Sequence, residues 1–448
     1  MTALSSVWPA CLACRTAVHP ASPATTTFVR ETHLPTGRRI FEIGRGVLYS
    51  VSASLAHPSF SPSFAPMPKH SWILTDVSSR TWIDEFSIAV AGTSPDAGRV
   101  EKYTLRGGVS EGVDVVAVHN GRLALALLPT RGMGLWRGTC DGLPLGWQSP
   151  VEHPVHPAFV DVHDRGGIGW LTGFNEWLCR CGLDANGPPG DGITLHGRIA
   201  NIPAHHVRVS VDTDGPGTIE VQGVVDEAIM FGPRLRLTST LTTTLGSPSF
   251  SIRDEVTNLA GHEADLQLLY HTQFGPPFLE DGSQLDLPAG QVVPRDPRAA
   301  EGAANWKTFL GPTAGYAEQV YYFQPVADAQ GQTHALLRNA AGSCGVSLRY
   351  RPQELPCFAL WKNTQAAADG YCTGLEPATN FPNPKAFERT QGRVVRLAPG
   401  ESRVFHLEFE IHSTSAGVAT AQKQIASLQP GTTVVSATPQ RGWSPAGG

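Results

Sequence analysis

The sequence predicts an all-β protein made of many short, mostly antiparallel strands. Apolar and polar residues alternate with a period of two in several segments, as in strands that turn one face towards a core. Gly (47) and Pro (36) are abundant among the 448 residues, and charged residues make up only 16%. That composition favours many turns between short elements. Residues 418–428, rich in Ala and Gln without Gly or Pro, are the best helix candidate.

The strands are predicted one by one from their alternation and from the turns between them. The run GVDVVAVHNGRLALALL reads as two strands about a His-Asn-Gly turn. Pro399 and Gly400 form a turn before the last strand. There is no Gly-rich phosphate loop between a strand and a helix, and no repeat of fixed period. Later strands place these side chains on one face each: Val207, Val209 and Val211; Leu235, Leu237 and Leu241; Phe405, Leu407, Phe409 and Ile411.

Three regions differ in composition. Residues 1–68 are rich in Ser, Pro, Ala and Thr and are expected to be a disordered extension. Residues 69–414 are expected to form the β domain that carries the site, and residues 415–448 a short helix followed by a flexible tail. The eight cysteines are scattered, and Cys179 and Cys181 are too close in sequence for an ordinary disulfide, so we expect reduced thiols.

Charge and hydropathy exclude several partners. The chain has 34 Lys and Arg against 39 Asp and Glu, a net charge of −5, and no basic run, which argues against nucleic acid. No apolar stretch approaches the roughly 18 residues of a membrane span. The first residues lack the pattern of a secretion signal, so a cytoplasmic location is expected, as a monomer or homodimer.

Candidate binding residues cluster in two segments. Arg131 in LPTRGMGLW lies before two glycines, where a tight turn would aim its guanidinium into a cleft or pair it with a carboxylate at the surface. The irregular region 149–203 combines Trp, Asn, Asp, Arg and His, as binding loops often do. Trp170 and Trp177 could stack on a sugar ring. Polar groups in this region could bind hydroxyls or a charge: Arg165, Asn175, Glu176, Arg180 and Arg198.

Two later segments carry titratable groups beside turns. His271 in LYHTQFG ends an apolar strand, from which a histidine can face a cleft as a proton donor. Glu376 lies between a short strand, 371–375, and Pro377, where a carboxylate is held in place and could act as a base. Lys362 and Asn380 are close to it in sequence and are further binding candidates.

Taken in order, these segments resemble the aldose 1-epimerase (galactose mutarotase) family. His196 in LHGRI, His271 in YHTQF and Glu376 in GLEPATNFPN are similar to the family's motifs, and LAPGESRVFHLEFEI resembles its closing hairpin. The likeness spans about residues 114–412. Tyr270 stands where the family has Asn, and Phe381, Pro382 and Asn383 replace its usual Pro-Asp-Ala. The closest resemblance is to an uncharacterised branch with LPTRGMG and LHGR segments.

The resemblance implies a large twisted antiparallel β-sandwich, the galactose mutarotase-like supersandwich, with the site on the concave face of one sheet. It also implies an isomerase that interconverts sugar anomers by opening and closing the ring. Glu376 would act as the base, His271 as the acid, and His196 would orient the sugar. No cofactor is expected, because only protons move.

Three alternatives remain open at this stage. A lyase or another isomerase on the same fold would use a similar acid–base set together with a cation that stabilises an enolate. A binding protein with an inactive site would retain sugar binding without turnover. A metal site is disfavoured, because the adjacent His205 and His206 face opposite ways on a strand.

Overall fold

The computed structural model describes residues 31–33, 39–41, 70–94, 96–190, 192–429 and 431–448. Its strands, in chain order, are β1 (Glu31–His33), β2 (Arg39–Phe41), β3 (His70–Asp76), β4 (Thr81–Trp82), β5 (Phe86–Val90), β6 (Gly98–Thr104), β7 (Asp114–His119), β8 (Leu123–Leu128), β9 (Gly134–Cys140), β10 (Leu143–Leu145), β11 (Leu178–Cys181), β12 (His206–Asp212), β13 (Thr218–Ala228), β14 (Arg234–Thr244), β15 (Ser249–Asn258), β16 (Ala264–Leu266), β17 (Leu269–Phe274), β18 (Gln284–Asp286), β19 (Ala289–Pro294), β20 (Gln319–Pro325), β21 (Thr333–Arg338), β22 (Gly345–Tyr350), β23 (Cys357–Asn363), β24 (Cys372–Ala378), β25 (Val395–Leu397), β26 (Ser402–His412) and β27 (Val434–Val435).

Two large sheets organise the part of the chain after residue 69. The larger sheet has 13 strands in the order β27-β19-β20-β23-β24-β17-β11-β9-β8-β7-β6-β5, with β10 paired to β9. The smaller has ten strands in the order β18-β21-β22-β26-β15-β14-β13-β12-β3-β4. Strands β16 and β25 form a separate pair, and so do β1 and β2. Almost every pairing is antiparallel; β27 runs parallel to β19.

The predicted alternation decides which faces become the core. In β14 the burial pattern alternates residue by residue, with Leu235 and Leu237 fully buried. Side chains of both large sheets belong to one apolar core, for example Val209 of β12 and Leu135 of β9. Burying one face of each sheet is the main favourable term in such a sandwich. The predicted fold class, a large antiparallel β-sandwich, is confirmed.

The region 149–203 is more regular than the sequence suggested. Its four-residue strand β11 lies between β9 and β17 inside the larger sheet and is buried along its whole length. Short 3₁₀ turns occur along the chain at Gly108–Ser110, Pro129–Arg131, Pro157–Phe159, Gly169–Gly173, Ile199–Asn201, Ala303–Asn305, Ala367–Asp369 and Pro445–Gly447. The α-helical segments are α1 (Asp164–Gly167), α2 (Pro297–Glu301), α3 (Lys385–Thr390) and α4 (Ser415–Leu428).

The predicted helix near the C-terminus is α4, which starts three residues before the predicted 418 because Thr414 caps it. Val418, Ala421 and Ile425 of α4 pack on Leu336 of β21. The segment after α4, expected to be a flexible tail, contacts the sandwich: Trp443 stacks on Phe381 with ring centroids 5.3 Å apart.

The expectation of disorder for residues 1–68 lies, apart from β1 and β2, outside the described residues. The described residues from 70 onwards form one compact unit. None of the helices in the described ranges is long and apolar enough to cross a membrane.

Candidate active site

His271 and Glu376 lie side by side in the middle of the larger sheet. Pairing of Thr272 with Leu375 between β17 and β24 places them on neighbouring positions of the same face. His271 Nε2 is 3.3 Å from Glu376 Oε1. The sequence placed His271 at a strand end and Glu376 after a strand; both lie inside strands instead. The sheet therefore fixes the separation of the two groups through the backbone register.

Gly374 makes the close approach possible. A Cβ atom at this position would lie 2.4 Å from Glu376 Oε1 and 3.3 Å from His271 Cε1. Both distances are shorter than ordinary van der Waals contact, and the first is impossible without displacing the carboxylate. A glycine on β24, two residues before Glu376, thus leaves the space that the pair occupies.

Aromatic rings surround His271. The ring centroids of Phe174 and Trp361 lie 5.2 and 5.4 Å from the imidazole, and that of Trp170 lies 6.3 Å away. His271 is 5% exposed and Glu376 is 3% exposed. An apolar shell of this kind weakens the hydration of charged groups and so favours the neutral form of each.

The protonation of the pair follows from this burial. Burial, followed by the negative charge of Glu318, raises the pKa of Glu376 to about 8, while Arg295 opposes the rise. Burial, followed by the neighbouring His196, lowers the pKa of His271 well below its usual range. At neutral pH the pair therefore holds one exchangeable proton, mainly as the carboxylic acid of Glu376 beside a neutral imidazole.

His196 completes the group of predicted catalytic residues. Its ring centroid is 5.4 Å from that of His271 and 4.8 Å from that of Trp170. Its backbone has φ +58°, a conformation unusual for a residue other than glycine. Two backbone hydrogen bonds hold it there: His196 N–H donates to the Gly187 carbonyl, and Gly182 N–H donates to the His196 carbonyl.

The tautomer of His196 can be assigned from its partner. Nδ1 lies 3.0 Å from the backbone oxygen of Asn186, which can only accept, so Nδ1 carries the proton. Burial lowers the pKa of His196, and the hydrogen bond to Asn186 opposes this. The neutral ring consequently keeps a lone pair on Nε2.

Asn380, predicted to bind substrate, lies behind His196. Its side-chain amide and that of Asn186 exchange two hydrogen bonds, of 3.0 and 3.1 Å. Asn380 also donates to the Phe381 carbonyl and is fully buried. It therefore holds the residue that orients His196 and has no contact of its own with the pair among the hydrogen bonds described.

Arg131 and Glu176, predicted to bind substrate, are paired with each other. Arg131 Nε donates to Glu176 Oε1 over 2.8 Å, and neither side chain has measurable exposure. Arg131 Nη2 also donates to the Gly173 carbonyl, 2.8 Å away. Phe174 follows Gly173 and packs on His271. The ion pair of Arg131 and Glu176 therefore holds one wall of the site and does not face a ligand.

Trp177 and Arg180 belong to the core between the two sheets. Trp177 is fully buried against Phe250, Phe274 and Phe409, so it cannot stack on a sugar. Arg180 forms a bidentate pair with Asp254 of the smaller sheet and donates to Ser239 Oγ. The sequence analysis predicted that both side chains face a sugar, and both face the core instead. The direction of a side chain near a short strand cannot be determined without the register of that strand.

Lys362 is also directed away from the site. Its ammonium donates to the carbonyls of Asn305, Trp306 and Thr308, the last at 2.7 Å. Burial lowers the pKa of Lys362 to about 8. Its neighbour Trp361, on the opposite face of β23, packs against His271 instead.

The remaining predicted binding residues differ in exposure. Asn175 is buried, and both polar atoms of its amide lack a partner within the described part of the chain. Arg165 is exposed, with Nε 3.7 Å from Asp164 Oδ2. Arg198 is exposed as well. None of the three has a contact with His271 or Glu376 among the bonds described.

Comparison with known proteins identifies the family. Residues 110–411 match the family model described as "Domain of unknown function (DUF4432)". A crystal structure of a "putative aldose 1-epimerase" from Klebsiella pneumoniae is 38% identical, with a TM-score of 0.79, over 82% of this chain and 97% of the other. The chain belongs to the DUF4432 family of aldose 1-epimerase-like (galactose mutarotase-like) proteins.

A galactose mutarotase-like protein from Clostridium acetobutylicum is 16% identical over 73% of this chain and 98% of the other, with a TM-score of 0.48. No protein with a curated description matches the chain. The family resemblance drawn from the LHGRI, YHTQF and GLEP motifs is confirmed, and in this DUF4432 protein those motifs supply the three side chains that meet at the site.

In this DUF4432 protein, three residues that contact His271 were not predicted from the sequence: Phe174, Trp361 and Gln273. The amide of Gln273, two positions after His271 on the same face of β17, contacts His271 Nδ1. The period of two in a strand could have indicated it. Over the described ranges, no three His, Cys, Asp or Glu side chains are grouped as metal ligands; His205 lies 3.3 Å from Asp226 instead.

Proposed function

We propose that this protein is an aldose 1-epimerase that interconverts the α and β anomers of a free sugar. Support comes from its family and, above all, from the adjacent His271 and Glu376, whose Nε2 and Oε1 atoms lie 3.3 Å apart. Anomer exchange needs one proton acceptor and one proton donor at a single carbon, and a pair with one proton supplies both.

The proposed reaction begins with proton transfer within the pair. Passing the proton from Glu376 to His271 Nε2 produces a carboxylate and an imidazolium. The carboxylate removes the proton of the C1 hydroxyl while the imidazolium protonates the ring oxygen. The bond between C1 and the ring oxygen breaks, leaving an open-chain aldehyde. Rotation about C1–C2 and reversal of the steps give either anomer and restore the proton to the pair.

The other side chains have supporting roles in this proposal. His196 Nε2, with its lone pair, accepts a hydrogen bond from a sugar hydroxyl. Trp170, Phe174 and Trp361 offer ring faces to the apolar side of a sugar. Because the pair is almost completely covered, a sugar has to displace at least one of these rings as it binds.

The experiment is anomer exchange at C1, measured by NMR saturation transfer on glucose, galactose, a hexose 6-phosphate and a uronic acid. We expect the wild-type protein to accelerate exchange of at least one sugar over the spontaneous rate. Glu376→Gln removes the proton acceptor and should lower the catalysed rate by about 10²- to 10⁴-fold, with an unchanged circular dichroism spectrum.

The matched control is Glu255→Gln, which removes one carboxylate on the outer face of the smaller sheet. It should retain the wild-type rate. Full activity of Glu376→Gln would disprove the role of Glu376. Sugar binding without accelerated exchange in the wild-type protein would support the binding-protein alternative, and a new product from a uronic acid would support a lyase.

A further inference from the structure

Gln273 is the only hydrogen-bonding partner of His271 Nδ1 in the described part of the chain. The two residues lie on the same face of β17, both are buried, and the Gln273 amide is 2.5 Å from Nδ1. The position opposite Gln273 on β24 is Gly374, which has no side chain to compete for the amide. The other end of the amide has no partner among the described residues.

The contact has two possible readings, because the two ends of a glutamine amide have nearly the same shape and their partners decide which is the oxygen. If the amide nitrogen faced His271, it would donate to Nδ1 and the ring proton would lie on Nε2. If the amide oxygen faces His271, Nδ1–H donates and Nε2 keeps its lone pair. A separation of 2.5 Å is shorter than a normal hydrogen bond in either reading, so the choice between the two ends of the amide rests on the other partner of His271.

Glu376 favours the second reading independently. Its Oε1 faces His271 Nε2 and has no other partner among the described residues. Burial raises the pKa of Glu376 to about 8, so this oxygen can carry a proton at neutral pH. A protonated oxygen needs an acceptor, and a neutral imidazole can accept at Nε2 only if its proton lies on Nδ1.

We infer that Gln273 is a positioning residue whose amide oxygen accepts the Nδ1 proton of His271 and so leaves Nε2 to exchange a proton with Glu376. The carbonyl of Asn186 acts on His196 in the same way. The catalytic consequence rests on the proposed function, since only a reaction that uses His271 Nε2 would depend on this tautomer. The assignment of the tautomer itself does not rest on the proposed function.

The test begins with the tautomer, by ¹⁵N NMR of the full-length protein labelled at histidine. His271→Asn assigns the signals by removing them. We expect a protonated, pyrrole-type Nδ1 and a pyridine-type Nε2 for His271 in the wild-type protein at pH 7. A pyridine-type Nδ1 with a protonated Nε2 would overturn the inference, whether or not the protein shows any activity.

Two variants test whether the Gln273 amide accepts a hydrogen bond from His271 Nδ1 or donates one to it. An ionised Glu side chain can accept a hydrogen bond but cannot donate one, so Gln273→Glu should keep the proton on Nδ1. Met is close to Gln in size and offers no strong acceptor, so Gln273→Met should shift the Nδ1 signal towards the pyridine type. If Gln273→Met kept a protonated Nδ1, the Gln273 oxygen would not be what holds that proton, and the inference would be wrong.

Activity supplies the second readout. With a sugar that the wild-type protein converts, Gln273→Met should lower kcat by about tenfold or more and change KM by less than about twofold, because the side chain acts through His271. Gln273→Glu should lie closer to the wild type in kcat. A large increase in KM with unchanged kcat in Gln273→Met would instead make Gln273 a substrate-binding residue and overturn the positioning role.

Discussion

At the residue scale, three motif residues predicted from the sequence meet at the site, and several predicted binding residues do not. His196, His271 and Glu376 each lie in a short motif with a distinctive neighbour, so their identity could be inferred without the fold. Trp177 and Arg180 could not be placed, because their segment reads as a loop, whereas Arg180 lies in the buried strand β11 and Trp177 directly precedes it. Residue type indicated a possible role, and only strand register decided which way the side chain points.

Arg131 and Glu176 give a prediction at this scale. Arg131→Met leaves the carboxylate of Glu176 buried without its cation, so the free energy of unfolding should fall by about 3–5 kcal/mol. Adding Glu176→Gln should recover part of this loss. Denaturant unfolding measures both variants.

The control for that pair is Arg106→Met, which breaks an exposed ion pair with Glu111. It should cost much less than Arg131→Met, because exposed pairs contribute little. A loss for Arg131→Met as small as that of the control would show that the Arg131–Glu176 pair does not hold the wall of the site.

At the element scale, the segment that carries His196 is fastened to the smaller sheet. Leu183 N–H donates to Glu227 Oε2 of β13 over 2.7 Å. Gly182, the preceding residue, binds the backbone of His196 and of Arg198. A carboxylate on one sheet thus supports a loop at the other. Nothing in the sequence indicated that Glu227 faces inward to this loop.

Glu227 makes stability depend on pH. Burial raises the pKa of Glu227 from 4.5 to about 7, and the hydrogen bond from Leu183 opposes the rise. The folded protein therefore binds the proton more tightly than the unfolded chain, and this carboxyl lowers the free energy of unfolding as pH rises from about 4.5 to about 7. Glu227→Gln removes this loss and keeps a carbonyl that can accept from Leu183.

Relative to the wild type, Glu227→Gln should gain stability between pH 5 and pH 8, by up to roughly 3 kcal/mol. Denaturant unfolding at the two pH values measures the gain. Glu220→Gln, a half-exposed carboxylate on the same strand, is the control and should show a much smaller change. An equal response from both variants would contradict the account of Glu227.

At the scale of the whole molecule, the class of fold could be predicted and the strand order could not. Alternating residues such as Leu235 and Leu237 identify a sheet with one buried face. The site depends on pairings between distant segments: β17 lies between β11 and β24, and β24 lies beside β23. Hydrophobic periodicity carries no information on which distant strands pair, and the family resemblance implied only the sandwich and a site on the concave face of one sheet.

The central claim is that His271 and Glu376 open the sugar ring with one shared proton. Its most direct test is the pH dependence of kcat/KM for anomer exchange, after subtraction of the spontaneous rate. Above pH 8 the pair loses its proton, because burial raises the pKa of Glu376 to about 8, and no acid remains. At low pH His271, whose pKa burial lowers well below 6.5, gains a second proton, and no base remains.

The account therefore predicts a bell-shaped profile whose alkaline limb falls near pH 8 and whose acidic limb falls well below pH 6.5. A kcat/KM that keeps rising through pH 9, or one that falls on the alkaline side with a midpoint near 6.5, would contradict it.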